Sequence, residues 1–322
     1  MSLSAKPEFS TRGSYPYILC GWHTHSEIPL SWVPTSAYDG RNLDVTIEIA
    51  KGHSPLSKRD DRFVFQHTTK HSLIGIKDVA DFEITGGRQI RVWPAAGANW
   101  KDIEIFLLGQ AWATLCHQRG ILPLHSSAIA TAKGIAAFAG HSGAGKSTIA
   151  ALLNSLGYEL IADDILPVSF NENSIPGAWP YLRRFKLYRD PITRLAFTPT
   201  ETVGETLDQE KYFVRPKGTG DDKWRSLERL YVLENEVTES QHPIEQITGA
   251  DAVGALVDQT YHFKFILDAR QVGDHLAFCT RLASRIPIYR VRRSSLDDAE
   301  KRLSSLICAH LEGGKPIAEH MS

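Results

Sequence analysis

A nine-residue run, Gly140-His-Ser-Gly-Ala-Gly-Lys-Ser-Thr148, constrains this 322-residue chain more than any other part of it. Residues 134–139 before it read as a short buried strand. Residues 147–156 after it begin read as a helix that stops at Gly157. Strand, glycine-rich turn and helix in that order point to an α/β core. The three glycines let the backbone curl so that successive N–H groups converge, and the helix N-terminus adds partial positive charge at the same point. Such a turn cradles phosphate. The expected nucleotide contacts are Gly140, Ser142, Gly143, Ala144, Gly145, Lys146, Ser147 and Thr148. Lys146 would reach the β- and γ-phosphates and the Ser147 hydroxyl would hold Mg²⁺. ATP with Mg²⁺ is the implied ligand pair, and the run is silent on where the phosphate goes.

Residues 158–162 read as another strand, ending in Asp163-Asp164, 17 and 18 residues past Lys146. Phosphoryl-transfer sites need an acidic residue there for the metal, and two allow a division of labour. One carboxylate can face Mg²⁺ while the other accepts the proton of an incoming hydroxyl. A plain Asp-Asp turn is the structural alternative; the spacing favours function. Asp163, Asp164 and Lys146 are therefore expected catalytic residues, and Ser147, Asp163 and Asp164 expected metal ligands. His125 precedes Gly140 by 15 residues, in a stretch, 122–131, that reads as one strand. If that strand neighbours 134–140, His125 lies at the phosphate end or at the opposite edge, and both remain open.

Charge excludes some classes of partner. The 36 basic and 37 acidic side chains leave a net charge of −1, which gives no electrostatic reason to expect nucleic acid or a membrane surface. Cys20, Cys116, Cys279 and Cys308 are far apart and form no C-x-x-C pair, so free thiols are expected rather than a disulfide framework or zinc site. Trp22-His-Thr-His25 offers two histidines without a third ligand, the pattern of a polar strand face or a loop. Residues 1–10 lack the apolar core of a secretion signal, and no run approaches the ~18 apolar residues of a membrane span. A cytoplasmic enzyme is expected.

Two domains are expected from the length: a β-rich domain over 1–100 and an α/β catalytic domain over 101–322. Short strands are predicted at 15–20, 44–50, 62–66 and 72–76, with a hairpin of 81–85 and 88–93 about Gly86-Gly87. A helix is predicted over 102–119, with Asp102 as N-cap, then strands at 165–170, 230–234 and 286–292. Helices are predicted near 249–259, 273–285 and 296–311. Residues 171–180 read as loop, and the polar stretch 201–222 as a mobile segment of the kind that covers a substrate.

The run from Leu124-His125 through Gly140–Thr148 to Ala162-Asp163-Asp164 resembles the catalytic domain of the HPr serine kinase family. That resemblance implies a P-loop kinase core of the HPr kinase/phosphoenolpyruvate carboxykinase type, preceded here by the β-rich domain. It also implies a catalytic role for His125, an Asp pair shared between base and Mg²⁺ ligand, and a homo-oligomer. More loosely, Pro176-Gly-Ala-Trp-Pro-Tyr-Leu-Arg-Arg-Phe-Lys-Leu, Glu210-Lys-Tyr-Phe-Val, Leu230-Tyr-Val-Leu-Glu and Ile286-Pro-Ile-Tyr-Arg are similar to a divergent branch of the family. That branch includes the lasso-peptide kinases, which phosphorylate a serine near the C-terminus of a ribosomal precursor. The Glu-Ile-Arg-Gly-Leu-Gly stretch of true HPr kinases has no counterpart here, so the resemblance carries neither HPr as substrate nor the reverse phosphorylase reaction. Among Arg183, Arg184, Lys186, Lys211 and Arg215, most read as solvated surface charge. Lys186 and Lys211 lie inside the matching stretches and are the expected contacts to substrate or phosphate.

The function these readings favour is transfer of a γ-phosphoryl group from ATP to a serine hydroxyl of a peptide or protein. A kinase of a small-molecule alcohol is the nearest alternative, because acceptor choice would lie in 171–225. A nucleotide-dependent switch is the other; a GTPase or an ABC ATPase is disfavoured, since neither Asn-Lys-x-Asp nor Leu-Ser-Gly-Gly occurs.

Overall fold

A computed structural model describes residues 13–37, 42–57, 61–203, 208–218, 220–238, 243–262, 269–294 and 299–312. The chain opens with seven strands: β1 (Tyr15–Leu19), β2 (Trp22–Ser26), β3 (Val45–Ile49), β4 (Phe63–His67), β5 (His71–Ile76), β6 (Ala80–Thr85) and β7 (Gln89–Pro94). They form one sheet in the order β1-β2-β3-β7-β6-β5-β4. The predicted hairpin is β6 and β7, paired antiparallel from Ala80↔Pro94 to Thr85↔Gln89. The Trp22-His-Thr-His25 run is the strand β2. Thr24 and Ser26 are buried while His23 and His25 lie on its more open face, and His25 Nε2 contacts the Ser14 hydroxyl at 2.9 Å.

Next comes a helix in three parts: α1 (Trp100–Phe106), a π-helical turn (Leu107–Ala111) and α2 (Trp112–Gln118). The predicted cap is displaced. Asn99 caps α1, its side chain accepting from the Lys101 N–H at 2.8 Å, and Asp102 is buried in the first turn. The uninterrupted helix expected over 102–119 is also corrected by the π turn. Widening at a π turn loosens the regular carbonyl partnerships; here the Tyr181 hydroxyl donates to the Leu108 carbonyl at 2.5 Å.

The remaining elements are β8 (Leu122–Leu124), β9 (Ser126–Thr131), β10 (Gly134–Gly140), α3 (Lys146–Ser155), β11 (Leu160–Ala162), β12 (Leu166–Phe170), β13 (Pro176–Ala178), β14 (Phe185–Tyr188), α4 (Arg189–Arg194), β15 (Pro199–Val203), β16 (Asp208–Val214), β17 (Arg225–Thr238), β18 (Ile244–Ile247), α5 (Gly249–Asp258), α6 (Ala269–Ala283), β19 (Ile288–Ser294) and α7 (Ala299–Leu311). A second sheet runs β11-β9-β10-β17-β13-β12-β8, with β19 parallel to β17 and β18 beside β19. β10 is parallel to β17 and antiparallel to β9.

Three expectations are corrected. The strand 122–131 breaks at His125, because β8 pairs with β12 while β9 pairs with β10 and β11. The loop 171–180 contains β13. The polar stretch 201–222 is not a structureless cover in its described part. β15 and β16 pair antiparallel, and with β14 they make a third sheet in the order β14-β16-β15. Its polarity reflects a small sheet with one face in solvent. Residues 204–207 and 219 of that stretch, and 296–298 of the last predicted helix, lie outside the described residues.

β10 is apolar on both faces and fills two cores at once. Ile135, Ala137 and Ala139 belong to a core that continues through α1, α2 and the seven-stranded sheet. Ala136 and Phe138 belong to a second core with α3, α7 and the third sheet. The period of two along a strand requires this split. We therefore propose the division near residue 100 as one of sheets, since a single apolar core spans it. Among the described residues, no helix is long and apolar enough to cross a membrane. All four cysteines are free, three of them buried.

Trp112 ties the two parts together, lying fully buried between Trp22 of the first sheet (ring centroids 5.7 Å apart) and Tyr181 (5.9 Å). Trp112→Ala is expected to cost about 3–5 kcal/mol, as large buried aromatic truncations do; urea denaturation followed by circular dichroism measures it.

Candidate active site

The site forms at the C-terminal ends of the parallel strands β10 and β17, where open α/β sheets leave a crevice. β10 ends at Gly140, whose φ of +145° few side chains adopt. A Cβ there would lie 2.6 Å from the Leu233 carbonyl oxygen on β17, so the turn requires glycine. The backbone stays in left-handed conformations at Gly143 (φ +81°) and Gly145 (φ +88°), the N-cap of α3. His141, Ser142 and Gly143 face solvent, Ala144 packs into the core, and Ser147 and Thr148 are half-buried. Lys146, buried, folds back over the turn: its Nζ donates to the carbonyls of Gly140 (2.7 Å) and His141 (3.2 Å). Strand, loop and helix thus stand as the sequence implies, with an exposed concave backbone and an ammonium group beneath it.

Antiparallel pairing settles the position of His125. Because β9 runs against β10, its first residues lie beside the last residues of β10, with Ser126↔Ala139 in register. His125 is therefore at the end of β10 from which the glycine-rich turn departs. Its backbone N–H leaves the sheet to donate to the Gln259 carbonyl at 2.7 Å, which is why the strand breaks there. The ring Nδ1 lies 3.1 Å from the Asp164 carbonyl oxygen and 3.5 Å from Asp164 Oδ1. A carbonyl only accepts, so Nδ1 carries the proton and Nε2 presents a lone pair. Burial pulls the His125 pKa down despite Asp164, which keeps the ring neutral near pH 7.

β11 delivers Asp163 and Asp164 to the same place, but into different surroundings. Asp163 is 4% exposed and accepts from three donors. Ser127 Oγ donates to Oδ1 at 2.5 Å, the Lys186 N–H donates to Oδ2 at 2.9 Å, and the Ser147 hydroxyl bonds to the same carboxylate. Burial nonetheless raises its pKa above the ordinary value. Asp164 adopts φ +83°, a conformation costing a non-glycine residue about 1–3 kcal/mol, and this turns its carboxylate away from its neighbour. Its side chain is 31% exposed, and Lys186 Nζ lies 3.1 Å from Oδ2. Burial works to raise this carboxyl, but Lys186, His125 and Lys146 together outweigh it and hold the pKa at about 2. Two adjacent carboxylates are thus driven apart in proton affinity, one raised by burial and the other lowered by the cations around it.

Burial is the main cause that pulls the Lys146 pKa down, and Lys211, on β16 beside the neighbouring β14, adds to it; the Lys211 Nζ lies 4.7 Å from the Tyr188 ring centroid. His125, Lys146, Ser147, Asp163, Asp164 and Lys186 are therefore brought together at the end of β10. Among the described residues, no group of three or more His, Cys, Asp and Glu could hold a metal ion. A Ser147 hydroxyl and two carboxylates beside a glycine-rich turn have the hard oxygen donors that would fit Mg²⁺, which takes few protein oxygens.

Several contributors were not legible in the sequence. Ser127 and Gln259 carry no motif. Arg184 is the clearest correction: read as surface charge, it is 7% exposed and stacks its guanidinium 3.9 Å from the Phe213 ring centroid. Glu104 is the leading charge opposite Arg184, and burial raises the Glu104 pKa. Arg184, Ile105, Leu108, Leu182 and Phe213 line a cleft that opens beside Asp163 and Asp164.

No protein-family model matches the chain, and no curated protein matches it. Among solved structures, the HPr(Ser) kinase/phosphatase from Coxiella burnetii aligns with 59% of this chain and 97% of its own length, at 9% identity and a TM-score of 0.31.

The two carboxylates should differ in their effect on stability. Asp164 stabilises the fold fully above its ordinary pKa of 3.8, and that contribution disappears as pH falls through about 2. Asp164→Asn is therefore expected to melt below the wild type near neutral pH, with the gap closing in strong acid. Asp163 has a raised pKa, so its ionised form costs stability as pH rises past 3.8. Asp163→Asn should melt at or above the wild-type temperature near neutral pH. Calorimetric scans across pH measure both.

Proposed function

We propose that this chain is an ATP- and Mg²⁺-dependent phosphotransferase that moves the γ-phosphoryl group to a serine hydroxyl of a peptide or protein. The observation that carries this reading is the pair Asp163 and Asp164, split in proton affinity and set beside a glycine-rich turn with Lys146 beneath it. Phosphoryl transfer needs positioning, charge neutralisation and somewhere for the acceptor proton to go, and little else.

The backbone N–H groups of 142–145 and the N-terminus of α3 bind the phosphates. Lys146 exchanges its two carbonyl partners for phosphate oxygens. Asp164, ionised throughout the physiological range and already bound to one cation, is the metal-side carboxylate, with Ser147 as the second protein oxygen. When bound, Mg²⁺ neutralises charge on the β- and γ-phosphates. Asp163, with the higher proton affinity and a face on the cleft, takes the proton of the acceptor hydroxyl as that oxygen attacks phosphorus. The bond between the γ-phosphorus and its bridging oxygen breaks, ADP leaves, and the phosphate ester remains on the acceptor. Lys186 and Lys211 lie on the side where the transferred group would carry its charge. The ribosomal precursor peptide of the lasso type is the acceptor that the sequence resemblance suggests, and the cytoplasm is the compartment that fits an ATP-using enzyme.

Transfer from γ-labelled ATP to serine-ending precursor peptides, HPr, a small alcohol and water tests the reading. Label is expected on a peptide serine. Asp163→Asn should lose about 10²–10⁴-fold in turnover with ATP binding retained, the range for removal of a general base. Asp164→Asn should lose Mg²⁺ dependence along with activity. Lys146→Ala should lose about 10²–10³-fold, the scale for removing one electrostatic stabiliser. Label on the small alcohol alone would replace the peptide acceptor, and nucleotide binding without transfer to any acceptor would sink the kinase reading. Because Asp163 must be ionised, the acid limb of the rate should lie above pH 3.8, falling as pH drops.

A further inference from the structure

Gln259 is the C-cap of α5 and 4% exposed, and it touches the crevice twice. Its side-chain Oε1 accepts the Gly140 N–H at 2.8 Å. Its main-chain carbonyl accepts the His125 N–H at 2.7 Å. Gly140 is the first residue of the glycine-rich turn, and its own carbonyl takes the Lys146 ammonium at 2.7 Å. The two peptide units that flank the Gly140 Cα, at the end of β10, are thus each held by a side chain, one by an amide and the next by a lysine. His125, held by the same glutamine, contacts the Asp164 carbonyl at 3.1 Å. A continuous chain of bonds therefore leads from the turn through Gln259 and His125 to the Asp164 main chain.

The surrounding segment is fastened firmly enough for this to matter. Tyr261 N–H donates to the Pro123 carbonyl at 2.7 Å, and Thr260 bridges Leu124 across the strand break. The Thr260 hydroxyl donates to the Leu256 carbonyl at 2.8 Å, and the Tyr261 ring packs on His125 with centroids 5.4 Å apart. Gln259 is held by its backbone on both sides, so its amide has a fixed origin from which to place Gly140. A glycine at φ +145° has no side chain of its own to fix that peptide, and the polar anchor must come from elsewhere.

We propose that Gln259 is a positioning residue that sets the glycine-rich turn relative to His125 and Asp164, through its side chain on one side and its main chain on the other. It touches neither nucleotide nor acceptor. The inference rests on the proposed nucleotide reading for its consequence in binding, but the clamp itself is a property of the protein alone. Only the side-chain arm can be removed by mutation. Gln259→Leu keeps bulk and removes the acceptor. Gln259→Glu keeps an acceptor oxygen at the same distance and adds negative charge.

Two measurements on the full chain separate the possibilities. Glycine-selective ¹⁵N labelling reads the Gly140 amide resonance and its hydrogen exchange, and titration calorimetry reads affinity for Mg²⁺-ADP. In Gln259→Leu the Gly140 amide is expected to shift and exchange faster, and Mg²⁺-ADP to bind about tenfold more weakly, the consequence of leaving one buried donor unpaired. In Gln259→Glu the Gly140 amide should stay protected while affinity falls, because charge rather than geometry has changed. A Gln259→Leu protein that retains its fold and leaves the Gly140 amide unmoved overturns the clamp. So does one that frees the amide yet binds Mg²⁺-ADP like the wild type. If Gln259→Leu fails to fold, Gln259→Glu decides, and loss of Gly140 protection there overturns the proposal. Failure of the wild type to bind Mg²⁺-ADP would instead overturn the nucleotide reading, while the amide measurements still judge the clamp.

Discussion

Two neighbouring carboxylates at the end of a buried strand are a liability unless each has different company, and the arrangement of this molecule follows from meeting that need. Asp163 and Asp164 leave β11 together, yet a left-handed backbone at Asp164 turns one toward hydroxyl and amide donors and the other toward cations. Each donor comes from a different element. Ser127 comes from β9, Ser147 from α3 and the Lys186 amide from β14. Three parts of the fold must be in register before Asp163 is satisfied. A conformation that costs about 1–3 kcal/mol persists only where its surroundings over-determine it, and these surroundings do.

β10 makes that convergence possible. Its side chains are small, mostly alanine, and buried on both faces, so β9, β17 and α3 can all approach it closely. The antiparallel β9 brings His125, Ser126 and Ser127 back to the end of β10 from which the glycine-rich turn departs. The parallel β17 brings Leu233 so near Gly140 that no side chain fits between them. Close packing and the chemistry of the crevice are linked here, because the two strand neighbours of β10 fix where the turn begins and where His125 and Ser127 stand beside it.

The parts of this legible in the sequence were those written in local signals. The glycine-rich turn, the strand before it, the helix after it and the spacing to Asp163-Asp164 are short-range patterns, and the structure has all of them where expected. The Gly86-Gly87 hairpin is another. What escaped was long-range. Nothing local marks Gln259, which reaches Gly140 across 119 residues, or Ser127, which reaches Asp163 across 36. His125 could not be placed because the direction of β9 relative to β10 is a tertiary fact. Arg184 read as surface charge because arginine usually is; stacking on Phe213 and the carboxylate of Glu104 make its burial affordable. The stretch 201–222 read as a mobile cover because its strands β15 and β16 are polar, and polarity there reflects a sheet exposed on one face.

Charge balance around the crevice bears on what it can receive. Lys146, Lys186 and Lys211 stand near Asp163 and Asp164, so each carboxylate already has cationic company before any ligand arrives. Lys146 is buried and its charge disfavoured, with Asp164 and Asp163 as its principal support. On the proposed reading a polyphosphate would relieve both conditions at once. It would give Lys146 a closer anion than either carboxylate, and it would release Asp164 from Lys186 to face a divalent cation. On that reading the carboxylates would stand in for phosphate charge in the resting protein, and the lysines would change partners without leaving the crevice. The rigid framework needed for such an exchange is what β10 and its neighbours supply: the side chains can trade contacts because the backbones that carry them are fixed.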